Sequence, residues 1–273
     1  MFKNNKINII AEIGWNHMGN MKLAEKMIKA ASKSGADFAK FQTWQVKNLT
    51  HGPWDNDGRR EIYKKAELSK QQYFILNRIC KKYKIRFLTS LFNEQDYELI
   101  HNLKLDTIKI PSPENRNKKL LNFCSKKFKN IFLSTGAANI SEITKSYNLI
   151  KKRNIHLMHC VSMYPCDDIY VDLDRLIKLS KISNKINIGL SDHSPDILSA
   201  QLSLSMGVKL IEKHFTIDNS LPGRDNKFAI LPDDLSKLKQ SVIRYEKMKK
   251  RKGKFTNQEI EIRKVYTGRW TAV

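Results

Sequence analysis

No apolar run in these 273 residues approaches the roughly 20 that a bilayer-spanning helix needs, so a helical membrane span is not expected. A secretory leader is not expected either. Lys3 and Lys6 precede the apolar stretch that begins at Ile7, but Glu12 interrupts it and no small-residue cleavage site follows. Cysteine is scarce: Cys80, Cys124, Cys160 and Cys166 form no CxxC pair, which argues against a disulfide framework and for a reducing, cytoplasmic compartment. Acidic residues are outnumbered, 27 against 50 Lys and Arg, for a formal charge of +23. The basic residues are spread over helix surfaces (Lys22, Lys26, Lys29, Lys33) except for a cluster from Lys247 to Lys254. That dispersion speaks for compositional drift and against a nucleic-acid partner, although a positive field could still steer anionic substrates. Neither low-complexity sequence nor a repeat beyond the strand–helix period described next is present.

What the chain does contain is eight short apolar runs, each ending on polar residues. They start at Ile7, Phe38, Ile85, Thr107, Ile131, Ile155, Ile186 and Val208. Their starts recur roughly every 22 to 31 residues, the length of one βα unit, with one longer interval between the second and third. Helical patterns fill the intervals, such as Met21, Leu23, Ala24, Met27, Ile28 and Ala31 on one face, and Leu198, Leu202, Leu204 and Met206 on another. Ser194-Pro195 reads as a helix start, Asn139 with Glu142 as a capping box, and Gly35 and Gly207 as helix stops. A final helix is expected from near Pro232 to about Lys249. The pattern predicts a (β/α)8 TIM barrel over residues 1–249, followed by a basic C-terminal tail over 250–273. The long interval, Trp44 to Glu67, is a candidate lid.

A barrel gathers its chemistry at the C-terminal ends of its strands. Lys40 and Gln42 share one face of the second run, with Lys40 set among Phe38, Ala39 and Phe41. A lysine so placed needs an anion, from substrate or from a carboxylate such as Glu12. Hydroxyls end four runs: Thr89 and Ser90, Ser112, Ser134 and Thr135, and Ser191. Together they suit a phosphate cradle, with Gly136 allowing close backbone approach. His193 and His214 end the last two runs and could share one divalent cation, with Mn, Co or Zn favoured over Mg by nitrogen ligands. Glu12, Glu114 and Glu212 are candidate acid/base groups. His17 reads equally as a loop residue or a catalyst, Cys160 beside His159 is a weak nucleophile pair, and Trp15 and Trp44 are platforms or loop packing.

At these residues the sequence resembles the sialic acid synthase family, which includes N-acetylneuraminate, legionaminate and pseudaminate synthases. The matching stretches are IIAEIGWNHMGN, GADFAKFQTWQ, YKKAELS, FLTSLF, KIPSPE, LSTGAA, MHCVSMYP, IGLSDHS and IEKHFTIDNSLPGRDNKF, from about Ile9 to Phe228. The resemblance implies condensation of phosphoenolpyruvate with an open-chain N-acylated amino sugar to give a nine-carbon 2-keto sugar acid and phosphate. It implies His193 and His214 as metal ligands for a divalent ion, Mn2+ with Mg2+ or Co2+ as alternatives. Lys40, Thr89, Ser112, Ser134 and Ser191 fall at positions that hold phosphoenolpyruvate. Gln42, Glu114, Tyr164 and Asp225 fall at sugar-contacting positions, with Ser162 where the family often has Asn. Glu12 and Glu212 match acids that could move protons near the metal. The family's C-terminal antifreeze-like domain, which reaches a partner subunit and supplies an arginine, has no counterpart before Val273. Arg224, which interrupts a usual Gly-Pro-Asp-His-Lys stretch, or Arg269 is expected to replace that arginine. A homodimer and a separate antifreeze-like protein are partners left open. The alternatives are another phosphoenolpyruvate-dependent sugar-acid synthase, a ligand-binding barrel inactive without a separate cap protein, and a binder of anionic polymers through Lys247 to Lys254.

Overall fold

All eight runs become strands, because each alternates residues that face inward with residues that face a helix layer. They are β1 (Asn8–Gly14), β2 (Phe38–Thr43), β3 (Arg86–Leu91), β4 (Thr107–Ile110), β5 (Asn130–Ser134), β6 (Asn154–Cys160), β7 (Asn187–Asp192) and β8 (Leu210–His214). All pair in parallel and in chain order, and β1 pairs with β8 to close the barrel. This computed structural model describes residues 6–251, 253 and 255–270; Lys3, Lys252 and Lys254 lie outside the described residues.

Helices surround the strands: α1 (Met21–Lys33), α2 (Arg59–Ala66), α3 (Lys70–Lys82), α4 (Lys118–Lys127), α5 (Ile140–Ile150), α6 (Asp174–Ser180), α7 (Leu198–Ser203) and α8 (Pro232–Met248). Between β3 and β4 two 3-10 turns take the place of a helix. A further helix, α9 (Asn257–Tyr266), lies in the basic tail and buries none of its residues. No helix among the described residues is long and apolar enough to cross a membrane.

Several sequence signals act as expected. Asn139 and Glu142 form the capping box of α5, and Gly35 and Gly207 adopt positive φ where helices stop. Others do not. Ser194 does not cap a helix, because Asp192 holds both its N–H and its hydroxyl, and α7 begins four residues later at Leu198. Of the apolar face expected there, Leu204 is buried and Met206 packs on the core, whereas Leu198 and Leu202 are exposed.

Strand alternation sorts the inside of the barrel into layers. Ile10, Phe38, Leu88, Phe132, Met158 and Leu210 form a buried apolar plug. The outward neighbours, among them Ala11, Ala39, Phe41, Ile108, Ile110 and Leu133, join the large core against the helices. Two residues after a plug position, the side chain again points inward, now above the plug. That single step places the polar residues described below.

Outside the barrel, Asp192 and Lys213 sit opposite each other on β7 and β8 and are both buried. Lys213 Nζ donates to Asp192 Oδ2 (2.9 Å) and to the Ser194 carbonyl (2.5 Å), and the Ser199 hydroxyl donates to the same carboxylate (2.5 Å). The pair clamps the turn that carries His193. Replacing Lys213 with Met strands a buried carboxylate and is expected to lower stability by about 3–5 kcal/mol. Adding Asp192→Asn should recover most of that loss. Urea unfolding measures both, and an unchanged midpoint for the single variant would count against the clamp.

Candidate active site

The layer above the plug receives one side chain from every strand: Glu12, Lys40, Ser90, Lys109, Ser134, Cys160, Ser191 and Glu212. These residues floor a cavity of about 580 Å3 at the C-terminal end of the barrel. Gln42, Ser112, Tyr164, His193, His214 and Asp225 form its wall. Trp15, Trp44, Arg59 and Tyr63 reach in from the β1 loop and from the long insert. The insert is anchored by a small aromatic core in which Tyr63 packs on Trp15 (4.9 Å) and edge-on to Trp44 (5.3 Å). Both tryptophans therefore line the site and hold the insert at once.

Four charges meet in the floor. Lys40 Nζ lies 2.8 Å from Glu12 Oε2 and 3.7 Å from Glu212 Oε2, and Lys109 Nζ lies 2.5 Å from Glu212 Oε1. Ser90 accepts from Lys40 (3.0 Å), and Ser191 bridges Lys109 and Glu212 (3.1 Å each). All four charged side chains are at least nine-tenths buried, so their mutual geometry decides their protonation. Burial raises the Glu12 carboxyl above its usual range, and the attraction of Lys40 does not fully offset it; the nearby Glu212 charge adds to the rise. For Glu212, burial is outweighed by Lys109 and Lys40, which hold the carboxyl below its ordinary value. The lysines split likewise. Burial lowers Lys109, whereas for Lys40 the two glutamates overcome burial and raise it. Two like groups are thus driven in opposite directions by their neighbours.

Gly14 makes one contact in this network possible. At φ +53 it bulges β1, and a Cβ there would crowd Gln42 Nε2 and Glu12 Oε1 at 3.2 Å each, the two atoms that hydrogen-bond at 2.9 Å. Gly136 does the same on the far side. Its N–H donates to Ser112 Oγ (3.1 Å), and a Cβ would collide with Ser112 and Ser162.

His193 and His214 face each other with ring centroids 5.3 Å apart, and Tyr164 covers His193 at 4.1 Å. His193 Nδ1 donates to the Val161 carbonyl (2.6 Å), which leaves Nε2 as its lone-pair nitrogen. Burial, and then the neighbouring His193 ring, hold His214 well below the ordinary histidine range. Among the described residues no three His, Cys, Asp or Glu side chains gather as a cage. The two imidazoles nevertheless fit a divalent ion whose remaining positions are open, because His214 Nδ1 is buried without a hydrogen-bond partner. Asp225 approaches that nitrogen at 3.4 Å, but the same oxygen accepts from Trp15 Nε1 at 2.5 Å. Ser134 Oγ, in the floor, is also buried without a hydrogen-bond partner, and a hydroxyl donor there suits an anion.

Most of the residues singled out in the sequence meet in this cavity: Glu12, Lys40, Gln42, Ser112, Ser134, Tyr164, Ser191, His193, Glu212, His214 and Asp225. Three do not line it. Thr89 has the wrong strand parity: it faces away from the barrel interior and bonds Thr43 Oγ1 (2.8 Å), while Ser90 takes the inward place. Glu114 follows Pro111, which ends β4; a 3-10 turn carries it off the rim, where it accepts from Asn117 (2.8 Å). Ser162 is exposed on the β6 loop, with its hydroxyl beside Gly136. Lys109 was missed, although it alternates with Ile108 and Ile110 just as Lys40 does with Ala39 and Phe41. Arg224 lines the mouth, whereas Arg269 stacks on Tyr266 and Trp270 beyond α9. His17 is a loop residue: it is buried, accepts from the Gly19 N–H (3.0 Å), and burial lowers it to about 4. His159 bonds the Val171 carbonyl, and Cys160 approaches His193 instead, at 4.0 Å.

A family model described as the NeuB family matches residues 27–254. An N,N'-diacetyllegionaminic acid synthase of Campylobacter jejuni is 35% identical over 258 residues, covering 89% of this chain and 77% of that one. The N-acetylneuraminate-9-phosphate synthase of Homo sapiens is 30% identical over 246 residues, covering 86% and 68%. Among solved structures, an N-acetylneuraminic acid (sialic acid) synthetase from Leptospira borgpetersenii in complex with citrate superposes with a TM-score of 0.88. It is 31% identical and covers 97% of this chain and 93% of that one.

Proposed function

The chain belongs to the NeuB family, and we propose that its cavity joins phosphoenolpyruvate to the open-chain aldehyde of an N-acylated amino sugar. The products are a nine-carbon 2-keto sugar acid and inorganic phosphate. The observation that carries this reading is the floor itself, two buried lysines and three serines beneath two facing imidazoles. A substrate with a phosphate and a carboxylate needs fixed cations and hydroxyl donors in a dry site, and this floor supplies both.

In this reading Lys40, Lys109, Ser90, Ser112, Ser134 and Ser191 hold phosphoenolpyruvate with its C3 carbon facing the aldehyde. When bound to His193 and His214, a divalent ion, Mn2+ with Co2+ or Mg2+ as alternatives, would supply Lewis-acid polarisation of the aldehyde oxygen. C3 attacks the aldehyde carbon and a C–C bond forms. Water adds at C2, the C2–O bond breaks, and phosphate leaves with the electron pair. Glu12 is the proton-transfer group, since burial raises its carboxyl above the ordinary range while Lys109 and Lys40 hold Glu212 below it. Glu212 stays ionised and fixes both lysines. Gln42 and Gly14 orient Glu12 through its other oxygen. Tyr164 and Asp225 face the sugar. The four cysteines are free thiols, which supports a reducing compartment such as the cytoplasm.

Phosphate release, measured with manganese, phosphoenolpyruvate and a panel of N-acyl amino sugars, tests the reading. Release that requires both substrates is expected. Silence with every sugar, relieved by a separate antifreeze-like protein, would mean a split enzyme. Silence in both settings would sink the synthase reading.

A further inference from the structure

The loops after β1 and β8, two paired strands, are tied together beside the histidine pair. Asn16 Nδ2 donates to the Phe215 carbonyl (2.9 Å), and Asn226 Nδ2 donates to the Asn16 carbonyl (3.3 Å). Both asparagines are fully buried. Their chain neighbours, Trp15 and Asp225, meet in the cavity, where the indole Nε1–H donates to Asp225 Oδ2 at 2.5 Å. Tyr63 of the insert packs on the same indole at 4.9 Å. The indole is therefore held from two sides and grips one carboxylate oxygen. Asp225 Oδ1 takes no hydrogen bond among the described residues, which leaves it to a ligand in the cavity.

The gripped oxygen has a second neighbour. It lies 3.4 Å from His214 Nδ1, a buried nitrogen without a hydrogen-bond partner. With metal–ligand bonds of about 2.0–2.2 Å, two atoms bound to one ion stand about 3–3.5 Å apart. Asp225 is thus close enough to His214 to join it on an ion, and that would take the carboxylate away from the sugar. Resting on the synthase reading, we propose that Trp15 is a positioning residue: its N–H withholds Asp225 from the ion held by His193 and His214 and keeps the carboxylate for the acceptor sugar. Tyr63 contributes from the insert by keeping the indole in place.

The test is Trp15→Phe, which leaves a ring against Tyr63 and removes the N–H. Calorimetry with Mn2+ alone should show binding tightened by about tenfold, since the released carboxylate adds a charged ligand. KM for N-acetylmannosamine should rise by about tenfold as a hydrogen-bond partner is lost, with KM for phosphoenolpyruvate unchanged. In Trp15→Phe/Asp225→Asn the tighter Mn2+ binding should vanish, because the amide carries no charge. Asp225→Asn alone keeps an oxygen that accepts from Trp15 and should leave the Co2+ absorption spectrum as in the parent. That arm decides the question even where Trp15→Phe fails to fold. Metal affinity unchanged or weakened in a folded Trp15→Phe reduces Trp15 to packing and overturns the proposal. A cobalt spectrum altered by Asp225→Asn makes Asp225 a ligand in the parent and overturns it as well. An unchanged KM for the sugar overturns the assignment of the carboxylate to the acceptor. A parent that binds neither ion removes the proposal together with the two-histidine site. No phosphate release with any sugar sinks the synthase reading, and the metal comparison still decides whether Trp15 withholds Asp225.

Discussion

Replacing Lys40 with Met is expected to lower phosphate release by about 10³-fold, as loss of a fixed charge partner for an anionic substrate should. The same change is expected to destabilise the fold by about 3–5 kcal/mol, because it leaves Glu12 buried beside Glu212 without its closest cation. The two effects can be separated. In Lys40→Met/Glu12→Gln both members of the pair are gone, no buried charge is stranded, and most of the stability should return. Turnover should not return, since neither the anion-holding lysine nor the proton-transfer carboxyl is present. Urea unfolding and a phosphate assay on the parent, both single variants and the double variant close the cycle. Recovered turnover in the double variant would show that the network is a structural ion pair and nothing more.

Loss of either imidazole should be comparably severe in activity and mild in stability. His193→Ala and His214→Ala each remove one of two nitrogens that face each other across 5.3 Å. Mn2+ or Co2+ affinity is expected to weaken by more than about 100-fold, beyond what loss of an outer-shell partner usually costs. Phosphate release should fall with it. The fold should persist, because the turn carrying His193 is held from outside by Asp192 and Lys213 rather than by the ring. Calorimetry of metal binding, with thermal melting as the control, reads both. Unchanged metal affinity in either variant would remove that residue from the metal site.

Much of this was legible without coordinates because it is local. The two-residue period of a strand and the recurrence of βα units need only neighbouring residues, so eight strands, their order and their polar tips could be read from the chain. Lys40 and Gln42 were placed on one face by that period alone. The same period, applied to β3 and β4, would have preferred Ser90 to Thr89 and found Lys109 between Ile108 and Ile110. The expectation at Ser194-Pro195 failed because Asp192, two residues back, takes the Ser194 N–H and hydroxyl, and Lys213 from β8 takes its carbonyl.

The sequence by itself determined the barrel, the chemical character of its rim and the family to which the chain belongs. Closure of the barrel decided the rest. It set Lys109 against Glu212 across 103 positions of sequence, and Lys40 between two carboxylates from β1 and β8. Which carboxyl is raised and which is lowered follows from those cross-barrel distances, because buried charges respond to neighbours a few ångströms away and not to neighbours in the chain. The same holds at the mouth, where Arg59 of the insert and Arg224 of the loop after β8, far apart in sequence, line one cavity because the insert packs on Trp15 of the β1 loop.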